Sequence, residues 1–190
     1  DAGYPLISDP GFPLVSALLE ANINISVVNG PSALLPALIG SGFDTSSFTF
    51  IGFLKGNNKE IISTLNKYKH SEETLIFYEA PHRLTKTISL IYSVFAERNI
   101  TIARELSKLH EEYIYTSLKE FSENSLELKG EIVLVIEGSK KEVADTDELL
   151  TKVELLIKEK GYSAKEAASV IALLYNHSKN ELYNAYLKRQ

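Results

Sequence analysis

Thr74-Leu-Ile-Phe-Tyr-Glu-Ala-Pro-His-Arg83 is the stretch from which the fold follows. Leu75, Ile76 and Phe77 are apolar without alternation, the pattern of a strand buried on both faces. Pro81 suits the first position of a helix, and apolar residues recur at helical spacing at Leu84, Ile88, Ile91 and Phe95. A strand running straight into a helix is the junction of an α/β sheet. Ala80, at the N-cap position, offers no side-chain acceptor to the first-turn N–H groups, so a ligand oxygen or a water must take them. Two readings of Tyr78, Glu79, His82 and Arg83 follow: a site for a carboxylate or phosphate, or a solvated junction.

Upstream, the same device recurs. Asp1 to Gly11 is dense in turn formers, and Asp9 with Pro10 predicts a capped helix running to about Ala21. Ile23 to Val28 reads as a short strand, and Gly30-Pro31-Ser32-Ala33 opens another helix. Gly40 to Ser47 breaks the pattern and marks a domain boundary, after which Phe48 to Leu54 is an aromatic-rich strand. Lys55 to Lys59 is a basic loop before a helix ending near Tyr68. Downstream, Ile100 to Arg104 is a buried strand that ends in a charged run, Tyr113 to Leu118 alternates like an antiparallel strand, and Gly130 to Glu137 is a last apolar one. Strands alternating with helices predict a mixed α/β sheet with its ligands at the strands' carboxyl ends, where these polar clusters fall.

The last stretch differs in composition. Ser139 to Asp147 is a charged linker, and three helices follow. Leu149, Leu150, Val153, Leu156 and Ile157 form one stripe that Gly161 ends, and Ser163 with Glu166 and Ser178 with Glu181 form capping boxes. The last two helices suit either a helix-turn-helix-like unit, with Lys165, Lys179, Lys188 and Arg189 on phosphates, or a small packed bundle.

Composition narrows the class. A hydrophobic share of 44% over 190 residues supplies a core and excludes wholesale disorder. No apolar run approaches the roughly 20 residues of a membrane span, and no secretion signal is present, so the expected location is cytoplasmic with no membrane partner. Without Cys, thiolate catalysis and cysteine metal sites are excluded, and four scattered His residues predict no metal centre. A net charge of −5 argues against a wholly basic nucleic-acid-coating surface while leaving room for a local patch. The chain opens at Asp1, has no Met, and starts as a loop with no strand before it. These features predict that an N-terminal portion of the sheet lies outside it. The absence of G-x-G-x-x-G and Walker A loops disfavours ordinary dinucleotide and P-loop sites.

Six ordered motifs then fall into place: Asp1-Ala-Gly-x-Pro-Leu-Ile-Ser-Asp-Pro-Gly11, Gly30-Pro-Ser-Ala-Leu-Leu35, Phe50-Ile-Gly-Phe-Leu54, Phe77-Tyr-Glu-Ala-Pro-His-Arg83, Ala103-Arg-Glu-Leu-Ser-Lys-Leu-His-Glu-Glu112 and Lys129-Gly-Glu-Ile-Val-Leu-Val135. Together they resemble the ribosomal RNA small subunit methyltransferase I family, cytidine 2′-O-methyltransferases of 16S rRNA within the tetrapyrrole methylase superfamily. The resemblance implies an α/β, tetrapyrrole-methylase-like two-domain architecture with a truncated N-terminal domain and a C-terminal three-helix tail. Its domains are residues 1–46, the remainder of the first; 47–138, the second; 139–147, a linker; and 148–190, the tail. It further implies S-adenosylmethionine held between the domains, 16S rRNA in the small ribosomal subunit as substrate, and a homodimer.

Carried over motif by motif, the implied cofactor contacts are Asp1, Gly3, Tyr4, Ser8, Pro31, Ser32 and Ala33 on one side. Phe77, Tyr78, Ala103, Gly130 and Ile132 form the opposing wall. Two departures stand out: the family's first strand with its Pro-Ile-Gly-Asn loop is absent, and Lys55-Gly-Asn-Asn-Lys59 replaces Pro-Arg and a longer basic loop. Methylating a ribose hydroxyl requires an acceptor for its proton, and Glu79, Glu105 and His82 are the candidates, the carboxylates ranked first. Arg83, Arg104, Lys108 and Lys55 are the candidate RNA contacts. An ion-pair network joining Glu79, Arg83, Arg104 and Glu105 is the competing explanation of those residues. The competing functions are a small-molecule methylase of the same superfamily acting on a tetrapyrrole, and a non-catalytic RNA-binding or dimerisation module.

Overall fold

The computed structural model describes residues 3–124, 126–140, 145–175 and 177–189. The chain forms two compact units, Asp1–Lys140 and Lys141–Gln190.

In the first unit, helices α1 (Phe12–Glu20) and α2 (Leu34–Ser41) precede strand β1 (Phe48–Phe53), helix α3 (Asn58–Asn66) and strand β2 (Thr74–Glu79). A single 3₁₀ turn, Pro81–Arg83, leads into α4 (Leu84–Phe95), followed by β3 (Asn99–Arg104), β4 (Glu112–Ser117), α5 (Leu118–Glu123) and β5 (Ile132–Ile136). The sheet order is β1-β2-β5-β3-β4. β1 and β2 are parallel, while β5 runs antiparallel to both of its neighbours and β4 antiparallel to β3. All five residues of β5 are buried, which is why it reads as an unbroken apolar run.

Side-chain alternation sorts the strands onto two faces. Leu75, Phe77, Ile100, Ile102, Ile132, Leu134 and Ile136 pack in one cluster with Leu65 of α3, with Leu84, Ile88 and Ile91 of α4, and with Leu118 and Phe121 of α5. Ile76, Ala103, Val133 and Val135 pack on the other face with Ala37 and Leu38 of α2. Tyr113 and Tyr115 reach from β4 to donate to the carbonyls of Pro36 and Gly40 at 3.2 and 2.9 Å. The helix that the sequence assigns to the first domain therefore covers a face of the second domain's sheet, and the chain stays within one compact unit across residues 46 and 47.

Two local expectations are corrected. Residues 23–28 form no strand, because among the described residues no strand lies alongside to take their backbone groups. Asp9 does not cap α1: the helix starts at Phe12 after Gly11, whose φ of 132° belongs to no helix.

In the second unit, α6 (Thr146–Lys160), α7 (Ala164–Leu174) and α8 (Lys179–Arg189) share a core of Leu149, Leu150, Val153, Ala167, Ala168, Ile171 and Leu182. Gly161 ends α6 with φ 70°, and Ser163 and Glu166 form the expected reciprocal cap. Arg189 is turned onto α6, 3.8 Å from Asp147 and 3.6 Å from Glu154. Lys165, Lys179 and Lys188 stay exposed. Among the described residues no helix is long and apolar enough to cross a membrane.

Candidate active site

The first unit carries a cleft of about 440 Å³ at the carboxyl ends of β1 and β2. Its size lies within the roughly 300–1,000 Å³ of small-molecule sites. One side is the loop after Gly3, represented by Ile7, Ser8 and Asp9, together with Ala33 at the mouth of α2. The opposite side is Phe53, the run Tyr78 to Pro81, and the start of β5 from Gly130 to Val133. A smaller hollow of about 130 Å³ shares Ile7, Asp9, Ala33 and Tyr78, and adds Gly3, Tyr4, Pro31 and Ser32.

Backbone geometry explains how these segments meet. Leu6 and Ser8 both adopt left-handed φ values, 71° and 63°. The loop they bend comes to rest on Gly52, whose φ is 73° where the pairing of β1 with β2 shifts register. A Cβ at Gly52 would stand 3.2 Å from the Ser8 hydroxyl, so glycine both permits the bulge and admits the loop. Tyr78 projects onto this face between Phe50 and Phe53, with ring centroids 4.9 and 5.6 Å apart in edge-to-face contact. Burial raises the pKa of its phenol.

Across the cleft, Glu105 follows β3 in a left-handed conformation with φ 51°. Its carboxylate accepts the Glu131 N–H at 2.8 Å and the Lys108 ammonium at 3.0 Å, while its own N–H donates to the Glu131 carbonyl at 3.0 Å. Those bonds, the backbone one first, hold its pKa below the ordinary glutamate value. Lys108 also pairs with Glu131 at 3.2 Å, and its pKa is raised chiefly by the bond to Glu105. Gly130 has a φ of 92°, which strains any other side chain, and a Cβ there would displace the Glu105 carboxylate, 2.3 Å away, from the Glu131 N–H.

Glu79 borders the cleft, and the alternation of β2 turns its side chain away from that of Tyr78. It is 3% exposed, its Oε1 accepts the Ala80 N–H at 2.7 Å, and its Oε2 is buried without a partner among the described residues. Arg83 Nε lies 3.7 Å from Oε1, and Arg83 Nη2 donates to the Leu54 carbonyl at 2.8 Å. Arg104 bonds to Glu112 instead. The four residues therefore form no single ion-pair network: Glu79 pairs with Arg83, Glu105 with Lys108 and Arg104 with Glu112. His82 stands on the 3₁₀ turn, and its imidazole makes no hydrogen bond among the described residues. Of the four candidate RNA cations, Lys55 has no ion-pair partner among the described residues; Arg83, Arg104 and Lys108 are each held by a carboxylate.

The implied cofactor contacts divide accordingly. Gly3, Tyr4, Ser8, Pro31, Ser32, Ala33, Tyr78, Gly130 and Ile132 line the cleft or its side hollow. Asp1 lies outside the described residues. The side chains of Phe77 and Ala103 are buried in the core on opposite faces of the sheet. Ile7 and Glu131, inside the implied Asp1 to Ser8 loop and Gly130 to Ile132 entry, line the cleft as well, whereas Asp9, Phe53, Ala80, Pro81 and Val133 line it and were missed, although each lies within a quoted motif.

The family model described as Tetrapyrrole (Corrin/Porphyrin) Methylases matches residues 1–122. The chain belongs to this family. Within it, the sequence groups with ribosomal RNA small subunit methyltransferase I. It is 40% identical to that protein of Bacillus subtilis over 100% of this chain and 68% of the relative. The Mycoplasma genitalium protein is 34% identical over 98% of this chain and 69% of its own length. Among solved structures, the methyltransferase CobJ superposes with a TM-score of 0.57 at 17% identity, covering 73% of this chain and 63% of CobJ. Uroporphyrin-III C-methyltransferase from Thermus thermophilus, complexed with S-adenosylhomocysteine, gives 0.52 at 16% identity over 71% and 62% of the two chains. These likenesses establish the tetrapyrrole methylase fold, and the chain spans about two thirds of the curated relatives it matches.

Proposed function

We propose that the protein transfers a methyl group to the 2′-hydroxyl of a cytidine ribose in 16S rRNA, acting on the small ribosomal subunit as a homodimer. The donor is S-adenosylmethionine, the cofactor of the methylase family. The observation that carries the reading is the cleft itself, where a strained loop and the wall from Gly130 to Val133 converge at the sheet's carboxyl edge. The names of relatives 34–43% identical favour RNA over a porphyrinoid as acceptor.

The residues present suit the donor. Ile7, Phe53, Tyr78, Ile132 and Val133 supply an apolar and aromatic surface for an adenine, and the carboxylate of Asp9 suits a cationic sulfonium. Bound there, S-adenosylmethionine supplies an activated methyl group. The chain's own task is to hold donor and ribose in line, exclude water and accept the hydroxyl proton. Glu79 is buried and bonded to the backbone, and Glu105 is acidified and bonded to Glu131, so both fit support better than proton removal. His82, exposed and next in sequence to the cleft-lining Pro81, is the candidate acceptor left without another bond among the described residues. Lys55 is the cation left to meet RNA phosphate.

The test is methyl transfer by the full-length protein from labelled donor to 30S subunits, followed by nucleoside analysis. Label should appear as 2′-O-methylcytidine, and His82→Ala should slow transfer about 10²–10⁴-fold. Label on a base, or on a porphyrinoid but not on subunits, would overturn the assignment.

A further inference from the structure

The parallel ladder of β1 and β2 ends at the pair Phe53 and Tyr78. Beyond it the β1 side continues into Leu54, 2% exposed, and Glu79, 3% exposed, keeps a ladder partner only on its other side, Ile132 of β5. Arg83 meets the first need, donating from Nη2 to the Leu54 carbonyl. Glu79 meets the second, its Oε1 taking the Ala80 N–H while facing Arg83 Nε. One ion pair thus stitches the two strand ends where the hydrogen-bond ladder stops. Glu79 itself borders the cleft, and Phe53, Tyr78, Ala80 and Pro81, which also line it, all lie within two residues of a stitched position.

The pair is not built for stability. Its second carboxylate oxygen is buried without a partner among the described residues, and a buried charge left partly unsatisfied is weak support for a fold. Resting on the proposed donor cleft, we infer that Glu79 and Arg83 are positioning residues that set the cleft rim. They act on donor affinity; they neither remove the ribose proton nor grip RNA.

Three variants of the full-length protein separate these roles: Arg83→Met, Arg83→Lys and Glu79→Gln. S-adenosylhomocysteine binding is read by calorimetry, kcat and KM for 30S subunits by methyl transfer, and folding by thermal melting. Arg83→Met should weaken S-adenosylhomocysteine about tenfold, as a displaced rim would, with Arg83→Lys partly restoring it and KM for subunits nearly unchanged. Glu79→Gln should weaken binding while keeping the shape of the pH–rate profile. Unchanged affinity in the folded Arg83→Lys and Glu79→Gln proteins would overturn the inference even if Arg83→Met fails to fold. So would a rise confined to KM for subunits, which marks an RNA contact, or loss of the low-pH limb in Glu79→Gln, which marks a base. Donor binding is measured without RNA, so a wrong acceptor assignment would leave this result standing.

Discussion

Glu105 shows how one side chain organises a wall. Its left-handed backbone, its bonds to the Glu131 N–H and Lys108, and the missing Cβ at Gly130 are one arrangement seen from three sides. Because its pKa is lowered in the fold, its contribution to stability is complete above the unfolded value, about 4.3, and is lost as pH falls through the folded value. Glu105→Gln keeps an acceptor for the N–H but loses the charge. The stability gap between parent and variant, from urea midpoints across roughly pH 3 to 7, should therefore be widest near neutrality and close toward the acid end. A gap that stays flat with pH would mean that the carboxylate's charge contributes nothing there.

Among the elements, β5 is the one the sheet cannot lose. It lies between β2 and β3, antiparallel to both, and Leu134 at its centre is fully buried in the cluster with α4. Leu134→Ala should cost about 2–5 kcal/mol by transfer and cavity terms, measured by urea denaturation. The capping serine of α7 is a smaller lever: Ser163→Ala should cost about 1 kcal/mol, since it strands N–H groups that water can partly recover. If the two costs come out equal, the central strand is less tightly packed than its burial implies. Element types were largely legible beforehand because period-2 and period-3.6 patterns are local. The segment 23–28 was not, since an apolar run becomes a strand only where a neighbour takes its hydrogen bonds.

Taken whole, the molecule is acidic, with a net charge of −5, and most of its site cations are already paired. On the proposed function, recognition of the subunit therefore has few phosphate contacts on which to depend. Lys55→Ala should raise KM for 30S subunits and lower the slope of log KM against log salt by about 1, the mark of one lost phosphate contact. An unchanged slope would leave the loop after β1 without a role in RNA binding.

The chain by itself determined the α/β class, the strand-to-helix junction at Thr74–Arg83, the helical tail with its Gly161 and Ser163 signals, and the ordered motifs that carry family membership. Each depends on periodicity, turn chemistry or residue identity, which are written locally. Most of the implied cofactor contacts fell on the cleft because they sit in turns and at strand ends. Only the tertiary structure decided where the charged side chains point. Alternation along β2 turns the side chains of Tyr78 and Glu79 to opposite faces although both residues border the cleft, and Arg83, four residues after its partner Glu79, reaches the Leu54 carbonyl beyond the neighbouring strand. Which carboxylate is available for chemistry and which is consumed in holding the fold is a matter of partners distant in sequence, and no local pattern encodes it.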